Sequence, residues 1–286
     1  MIGYFPVLLM SPVSIIIPAF NEEEGIGGVL ERIRTLSLQA EIIVVDDGST
    51  DKTAEVAAAA GARVMRNPMN RGYGFSLKHG MMHATHDTIV ITDADGTYPI
   101  EEIPLLLTAF EKGFDMVVGA RQGKAYKGSL LKIPARWIFK FLVEFTTGSK
   151  IPDINSGMRV FRKKDLMPYF PDICNGFSFT TTSTLIYMLT GKMVHYVLIP
   201  YDYRVGTSKV KMIRDSLRTL QYITEAIVHY NPMKIFLVLS CVVFFAGIVF
   251  TFVIGWYAFF QGIVWALVIF GLGLLAEAQR KREVAH

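Results

Sequence analysis

Cysteine is nearly absent from this 286-residue chain: Cys174 and Cys241 are the only two, they share no Cys-x-x-Cys spacing, and Cys241 lies in an uncharged stretch. That usage argues against a disulfide framework and a thiolate zinc site, and makes a reducing, cytoplasmic setting the default. Charge is also scarce, with 19% of residues Asp, Glu, Lys or Arg and a formal net charge of +4. So mild a basic balance, with a pI near 8.9, calls for no nucleic acid; a membrane surface or an anionic substrate accounts for it. No internal repeat or low-complexity linker interrupts the chain. The opening segment, Met1 to Pro12, is apolar but lacks a basic region and is too short to span a bilayer, so it is expected to be a lead-in packing near the first strand.

What is abundant is apolar surface, at 51% of residues, and it is concentrated at one end. From Ile235 to Ala276 there are 42 consecutive residues without a charge. One helix of that length would extend roughly 63 Å at ~1.5 Å per residue, about twice the hydrocarbon thickness. Two antiparallel helices fit better, with the turn expected near Gly255 or Gln261-Gly262. Lys209, Lys211, Arg214, Arg218 and Lys234 precede this tail and Arg280, Lys281 and Arg282 follow it, which puts both of its ends on the cytoplasmic side.

The front half alternates β-branched runs with helical patterns, the signature of a mostly parallel sheet covered on both faces. Val13 to Pro18, Glu41 to Asp46, Ala62 to Arg66, Thr88 to Asp93 and Met116 to Ala120 read as strands. Glu22 to Thr35, Asp51 to Ala60, Gly74 to His86 and Ile100 to Lys112 read as helices, with Ser49 or Asp51 a natural N-cap. Beyond Ala120 comes a basic, aromatic stretch, Lys124 to Lys150, whose Lys132, Arg136, Trp137, Phe139, Lys140 and Phe141 suit a helix lying in the bilayer interface.

In open α/β sheets, ligands bind beyond the carboxyl ends of the strands. Two acidic runs stand at such ends: Val45-Asp46-Asp47-Gly48-Ser49 and Thr92-Asp93-Ala94-Asp95-Gly96. Two carboxylates one residue apart can aim oxygens into one crevice, where they suit Mg²⁺ or Mn²⁺ with a diphosphate completing the shell. Asp-x-Asp alone is a weak signal, because it also occurs in turns and helix caps. Its company gives it meaning: Pro18-Ala19-Phe20-Asn21-Glu22 after strand one, Asp46-Asp47-Gly48-Ser49-Thr50-Asp51 after strand two, and Asn70-Arg71-Gly72-Tyr73-Gly74 after strand three.

Together these motifs resemble the GT-A fold of family 2 glycosyltransferases. With the membrane tail, they resemble most the polyprenyl-phosphate glycosyltransferases of the dolichyl-phosphate mannose synthase type, over nearly the whole chain. The resemblance implies that Pro18, Phe20, Asn21, Glu22, Val45, Asp47, Asp93 and Ala94 bind the nucleotide of a nucleotide sugar, and that Asp93 and Asp95 carry the metal. Many members have Gln two residues after the second Asp, where this chain has Thr97, so a water is expected in place of that side chain. Arg121 matches a phosphate-binding arginine, a role that suits the bidentate guanidinium fork. Arg136, Arg204, Ser208 and Lys209 look like the remaining phosphate ligands, set where a lipid headgroup would present its phosphate. The run Asp153-Ile154-Asn155-Ser156-Gly157-Met158-Arg159 resembles a family segment beside sugar and acceptor, which makes Asp153 the candidate base or orienting carboxylate.

The expected organisation is a GT-A domain over 1–209 that includes an interfacial helix at about 129–147, a juxtamembrane helix over 210–232, two transmembrane helices over 233–277 and a basic cytoplasmic tail over 278–286. The implied activity is inverting hexose transfer from a UDP-glucose or GDP-mannose type donor to undecaprenyl or dolichyl phosphate, at the cytoplasmic membrane, in a chain that would gain membrane grip from forming a dimer or tetramer. A processive polysaccharide synthase would need Gln-x-x-Arg-Trp after the catalytic Asp, whereas Arg136-Trp137 precedes Asp153 with Ile133 in the Gln position. A nucleotidyltransferase would need a Gly-rich basic loop where Asn21-Glu22-Glu23-Glu24 is acidic. A catalytically dead membrane partner would have no need of Asp93, Asp95, Arg121 and Lys209 together. His79, His83 and His86 share a helical stretch but are joined by no carboxylate cluster, and read as an exposed polar face.

Overall fold

The computed structural model describes residues 11–123, 141, 143–201 and 212–284. The front half is built from β1 (Val13–Ala19), α1 (Ile26–Arg34), β2 (Ala40–Asp46), α2 (Thr53–Ala59), β3 (Arg63–Arg66), α3 (Tyr73–His83), β4 (Thr88–Ile91), α4 (Ile103–Phe110) and β5 (Met116–Gln122). The expected strands and helices are all present, with ends shifted by a few residues. β4 stops at Ile91, so the acidic pair lies in the loop just beyond the strand and not on it. α4 is preceded by a 3₁₀ turn over Ile100–Glu102. The N-cap of α2 is Lys52 and not Ser49 or Asp51; Asp51, one position earlier, accepts the Thr53 amide (3.0 Å) and hydroxyl (2.5 Å) in a local turn ahead of the helix.

Beyond β5 the structure adds elements that the sequence pattern does not announce, β6 (Arg159–Arg162), α5 (Phe179–Leu189) and β7 (Val194–Pro200), and then the helix expected over 210–232, α6 (Met212–Tyr230). The sheet order is β3-β2-β1-β4-β6-β5-β7. β6 runs antiparallel between β4 and β5, and the other pairings are parallel. This reversal has a positional consequence. Arg159 opens β6 opposite Ile91 and Val118, so the segment preceding β6, 153–158, lies at the same edge as the segments following β1, β2, β4 and β5.

β1 is buried along its whole length, as expected of a central strand covered on both faces. On one face Ile15, Ile17, Val44, Val90 and Val117 pack with Leu30 of α1 and Leu106 of α4; on the other, Ile16, Ile43, Val45, Ile91 and Val118 pack with Leu77 of α3 and Phe179 of α5. A third cluster of Val143, Ile151, Leu185, Ile223 and Ile227 joins α5 and the helical segment 143–147 to α6.

The tail forms two helices, α7 (Pro232–Ile254) and α8 (Trp256–Val284), long and apolar enough to cross a membrane. They fold back on each other at Gly255, whose φ of +80° is open to glycine without strain. Gln261-Gly262, the other expected turn position, instead lies inside α8. Gly262 meets Gly247 so closely that a Cβ on either would lie 2.7 Å from the other's Cα. Ser240 donates to the Ala266 carbonyl at 2.8 Å. The 18-residue apolar windows of these helices are 6% and 22% buried, unlike the core helices of a soluble protein.

Candidate active site

The ends of four strands, β1, β2, β4 and β5, and the segment preceding β6 meet at the carboxyl edge. The first two are laced together. The Asn21 amide donates to Ser49 Oγ (2.9 Å), the Thr50 amide donates to Asn21 Oδ1 (2.9 Å), and the Glu22 amide donates to Thr53 Oγ1 (2.8 Å). Asn21 sits at φ 51°, a conformation Asn tolerates better than most residues. Phe20, Asn21 and Glu22 remain partly accessible at this edge, while Pro18 and Val45 are buried. Asp47 is 3% exposed. It accepts from Asn67 Nδ2 (2.8 Å) and from the amides of Arg71 (3.0 Å) and Gly72 (2.8 Å), which pins the 67–72 loop across the end of β2.

The acidic pair follows β4. Asp93 Oδ1 accepts the Tyr73 hydroxyl at 2.9 Å. Burial, followed by the negative charge of Asp93, holds that phenol well above its usual pKa, so it remains a donor. Asp95 Oδ1 accepts both the amide (3.1 Å) and the hydroxyl (2.6 Å) of Thr97. Thr97, read from sequence as a departure, thus orients the second carboxylate. Ala94 is buried between the two, and Gly25 closes on its carbonyl so tightly that a Cβ would lie 2.8 Å away.

Among the described residues no cluster of three His, Cys, Asp or Glu side chains could hold a metal. Asp93 and Asp95 would supply two hard oxygen ligands, a donor set that fits a divalent cation only with further oxygens from outside the described residues.

Across the crevice, Arg121 at the end of β5 grips Asp153 with a fork: Nε to Oδ2 is 2.7 Å and Nη2 to Oδ1 is 3.0 Å. The Asn155 amide also donates to Asp153 Oδ1 (3.1 Å), and Arg121 lies over the Tyr201 ring at 5.2 Å. The two residues expected to act separately, on phosphate and acceptor, are therefore one ion pair in this structure. Below it, Gly157 abuts Asp93: a Cβ there would lie 2.7 Å from Asp93 Oδ1. Its amide donates to the Tyr98 hydroxyl (2.6 Å), and Ser156 Oγ donates to the Gly119 carbonyl (2.5 Å).

Arg159 is wholly buried beneath this loop. It donates to the Ser156 carbonyl through Nε (3.1 Å) and Nη2 (2.5 Å), and to the Thr180 carbonyl, Ser183 Oγ and Thr184 Oγ1 of α5 through Nη1. None of its hydrogen bonds goes to a carboxylate among the described residues. Burial pulls its pKa down from the ordinary arginine value.

Arg136, Arg204, Ser208 and Lys209 lie outside the described residues, as does most of the expected interfacial helix. In its described end, Phe141 and Phe145 are exposed and stacked at 6.0 Å. Lys234 of α7 donates to the Thr146 carbonyl at 2.7 Å. The expected polar histidine face is only partly so, because His79 is half-buried with Nδ1 2.8 Å from Asn67 Oδ1. Tyr73, Thr97, Tyr98, Gly157 and Arg159 were not assigned roles from sequence. Tyr73, Gly157 and Arg159 stood in quoted motifs and Thr97 was singled out as a departure, whereas Tyr98 stood in none.

A mostly parallel seven-stranded α/β sheet with an acidic pair at its carboxyl edge is the architecture of the GT-A glycosyltransferases. Solved structures of glucosyl-3-phosphoglycerate synthase from Mycobacterium tuberculosis share this fold. The complex with Mn²⁺, UDP-glucose and phosphoglyceric acid superposes with a TM-score of 0.63 at 19% identity, covering 75% of this chain and 79% of that one. The complex with Mg²⁺ and UDP gives 0.60 at 19% identity, with the same coverage. The chain belongs to glycosyl transferase family 2, which it matches over residues 14–170. Undecaprenyl-phosphate 4-deoxy-4-formamido-L-arabinose transferase of Klebsiella pneumoniae is 35% identical over 173 residues, or 57% of this chain and 51% of the relative. The Salmonella choleraesuis protein of the same name is 33% identical over 169 residues. The chain spans about half the length of the curated relatives it matches.

Proposed function

We propose that this protein transfers a hexose from a nucleotide sugar to a polyprenyl phosphate in the cytoplasmic membrane, inverting the anomeric centre and requiring Mg²⁺ or Mn²⁺. The observation that carries this reading is that the apolar hairpin is fastened to the domain bearing the acidic pair, through Lys234 on the Thr146 carbonyl and Ile235 packed against the cluster of Ile151, Leu185 and Ile223. Such a coupling would hold the site at the bilayer surface, where a lipid phosphate is presented. The naming of the Klebsiella and Salmonella relatives for an undecaprenyl-phosphate acceptor supports it, as do Mn²⁺ or Mg²⁺ with UDP in the solved structures of the same fold.

In this reading Phe20, Asn21, Glu22 and the loop pinned by Asp47 bind the nucleoside. A cation held by Asp93 and Asp95 would neutralise charge on the diphosphate. The acceptor phosphate, with a second pKa of about 6, is already anionic at neutral pH, so it needs positioning more than deprotonation. Asp153, held by Arg121, serves that end by orienting the acceptor and facing positive charge that develops at the anomeric carbon. A lipid phosphate oxygen forms the new bond to that carbon as the bond to the diphosphate breaks. Arg136, Arg204, Ser208 and Lys209 are proposed to hold the lipid phosphate at the bilayer surface, and Phe141 and Phe145 to anchor the interfacial helix. The segment 1–209 would be the catalytic domain, 210–232 the juxtamembrane helix and 233–277 the membrane hairpin, with the basic 278–286 tail cytoplasmic.

Purified protein incubated with Mn²⁺, a short polyprenyl phosphate and a panel of nucleotide sugars tests the reading. Nucleoside diphosphate is expected to be released only when the lipid phosphate is present. Release of pyrophosphate from a nucleoside triphosphate would instead point to nucleotidyl transfer.

A further inference from the structure

We infer that Phe177, backed by Tyr73, forms an aromatic wall against which the hexose ring of the donor stacks; the inference rests on the donor reading above. Phe177 is half-exposed, and the loop that leads to it is held by several hydrogen bonds. The buried Lys78 ammonium donates to the carbonyls of Phe170 (2.7 Å) and Ile173 (2.5 Å) and to Asn175 Oδ1 (2.8 Å). The Phe75 amide donates to the Asn175 carbonyl at 2.9 Å, and Gly72 lies so close that a Cβ would be 2.6 Å from that oxygen. Burial lowers the pKa of Lys78, the cost of placing a lysine there to hold a surface loop.

What the bracing achieves is the placement of one ring. Phe177 stacks on Tyr73 with centroids 5.9 Å apart and planes inclined by 23°. The Tyr73 hydroxyl in turn is bonded to Asp93 Oδ1 (2.9 Å). An accessible aromatic surface is thereby tied, through a single intervening ring, to a carboxylate that would bind the cation on the diphosphate. The group that projects from a nucleotide-sugar diphosphate is a pyranose, whose C–H face packs on aromatic rings. Sites for such ligands combine apolar or aromatic walls with a few placed polar groups. The remaining polar contacts of the sugar would come from the Arg121–Asp153 side.

The test is calorimetric titration of the full chain in detergent with UDP, GDP, UDP-glucose and GDP-mannose in the presence of Mn²⁺. Phe177→Ala is expected to weaken the nucleotide sugar about fivefold to tenfold while leaving the matching nucleoside diphosphate unchanged, and Phe177→Trp is expected to restore sugar affinity. Tyr73→Phe keeps the stacked pair and loses the bond to Asp93, so it is expected to retain the preference for the sugar nucleotide. Equal weakening of diphosphate and sugar nucleotide by Phe177→Ala, or no change in either, overturns the inference. So does a loss of affinity confined to a short polyprenyl phosphate, titrated in the same way, which would put the acceptor on that wall. A wild-type chain that binds none of the four nucleotides overturns the donor reading, and the wall with it.

Discussion

Gly157 and Asp93 are in contact, and the missing side chain of one sets the position of the other. Gly157→Ala would place a methyl group 2.7 Å from Asp93 Oδ1, an overpacking that typically costs about 1–3 kcal/mol. Mn²⁺ affinity, measured by electron paramagnetic resonance, is expected to fall while the fold persists. Asp93→Ala and Asp95→Ala are expected to abolish transfer. Asp153→Asn is expected only to weaken it, because one oxygen can still accept from Arg121; complete loss would make Asp153 a true base. At this scale the sequence was informative for residues set by strand ends and local motifs, such as Asp93, Asp95 and Arg121. It was silent on Tyr73 and Tyr98, whose partners lie 20 and 59 positions away. Thr97 was misleading for a different reason: its bond to Asp95 is local, but a comparison with the usual Gln made it look like a loss.

Elements carry their own consequences, some of them far from the site. Glu41 clamps the opposite edge of the sheet, accepting from Ser14 (2.8 Å), Arg63 (2.9 Å) and the Thr85 amide (2.8 Å). Burial alone would raise its pKa, but those hydrogen bonds outweigh it and hold the group below its ordinary 4.5. A carboxylate depressed in the folded state adds stability above its unfolded value and loses it as pH falls through the folded value. Urea midpoints of the wild type are therefore expected to drop more steeply below pH 4.5 than those of Glu41→Gln. In the hairpin, Gly247→Leu would force apart helices that now meet at Gly262. Small residues permit such close helix approach in membranes, so a lower melting temperature in detergent is expected. β6 escaped sequence reading because Arg159–Arg162 is a four-residue strand with a charge at each end. α5 escaped because Phe179-Thr180-Thr181-Thr182-Ser183-Thr184 has poor helix propensity. Its hydroxyls are used up in tertiary bonds to Arg159 and in back-bonds such as Thr184 Oγ1 to the Thr180 carbonyl (2.8 Å).

For the whole molecule, the alternation of β-branched runs and helices was enough to read a parallel sheet, and the uncharged tail was enough to read two helices. The antiparallel insertion of β6 was not legible, although it is what brings Asp153 and Gly157 to the acidic pair. Removal of 235–276 is expected to release the protein from membranes in a flotation assay; retention would shift the anchor to the helix bearing Phe141 and Phe145. The joining of acidic pair, arginine-held carboxylate and apolar hairpin in one chain is tested most directly by sugar transfer in vesicles. Protein reconstituted with undecaprenyl phosphate is supplied with a radiolabelled nucleotide sugar, and the label is followed into the organic phase. Label is expected in a lipid-linked sugar only when lipid phosphate and Mg²⁺ or Mn²⁺ are both present, and not with Asp93→Ala or Asp95→Ala. Label that stays in water as free sugar, or that reaches lipid at full rate in EDTA or in the Asp93→Ala protein, would contradict this mechanism.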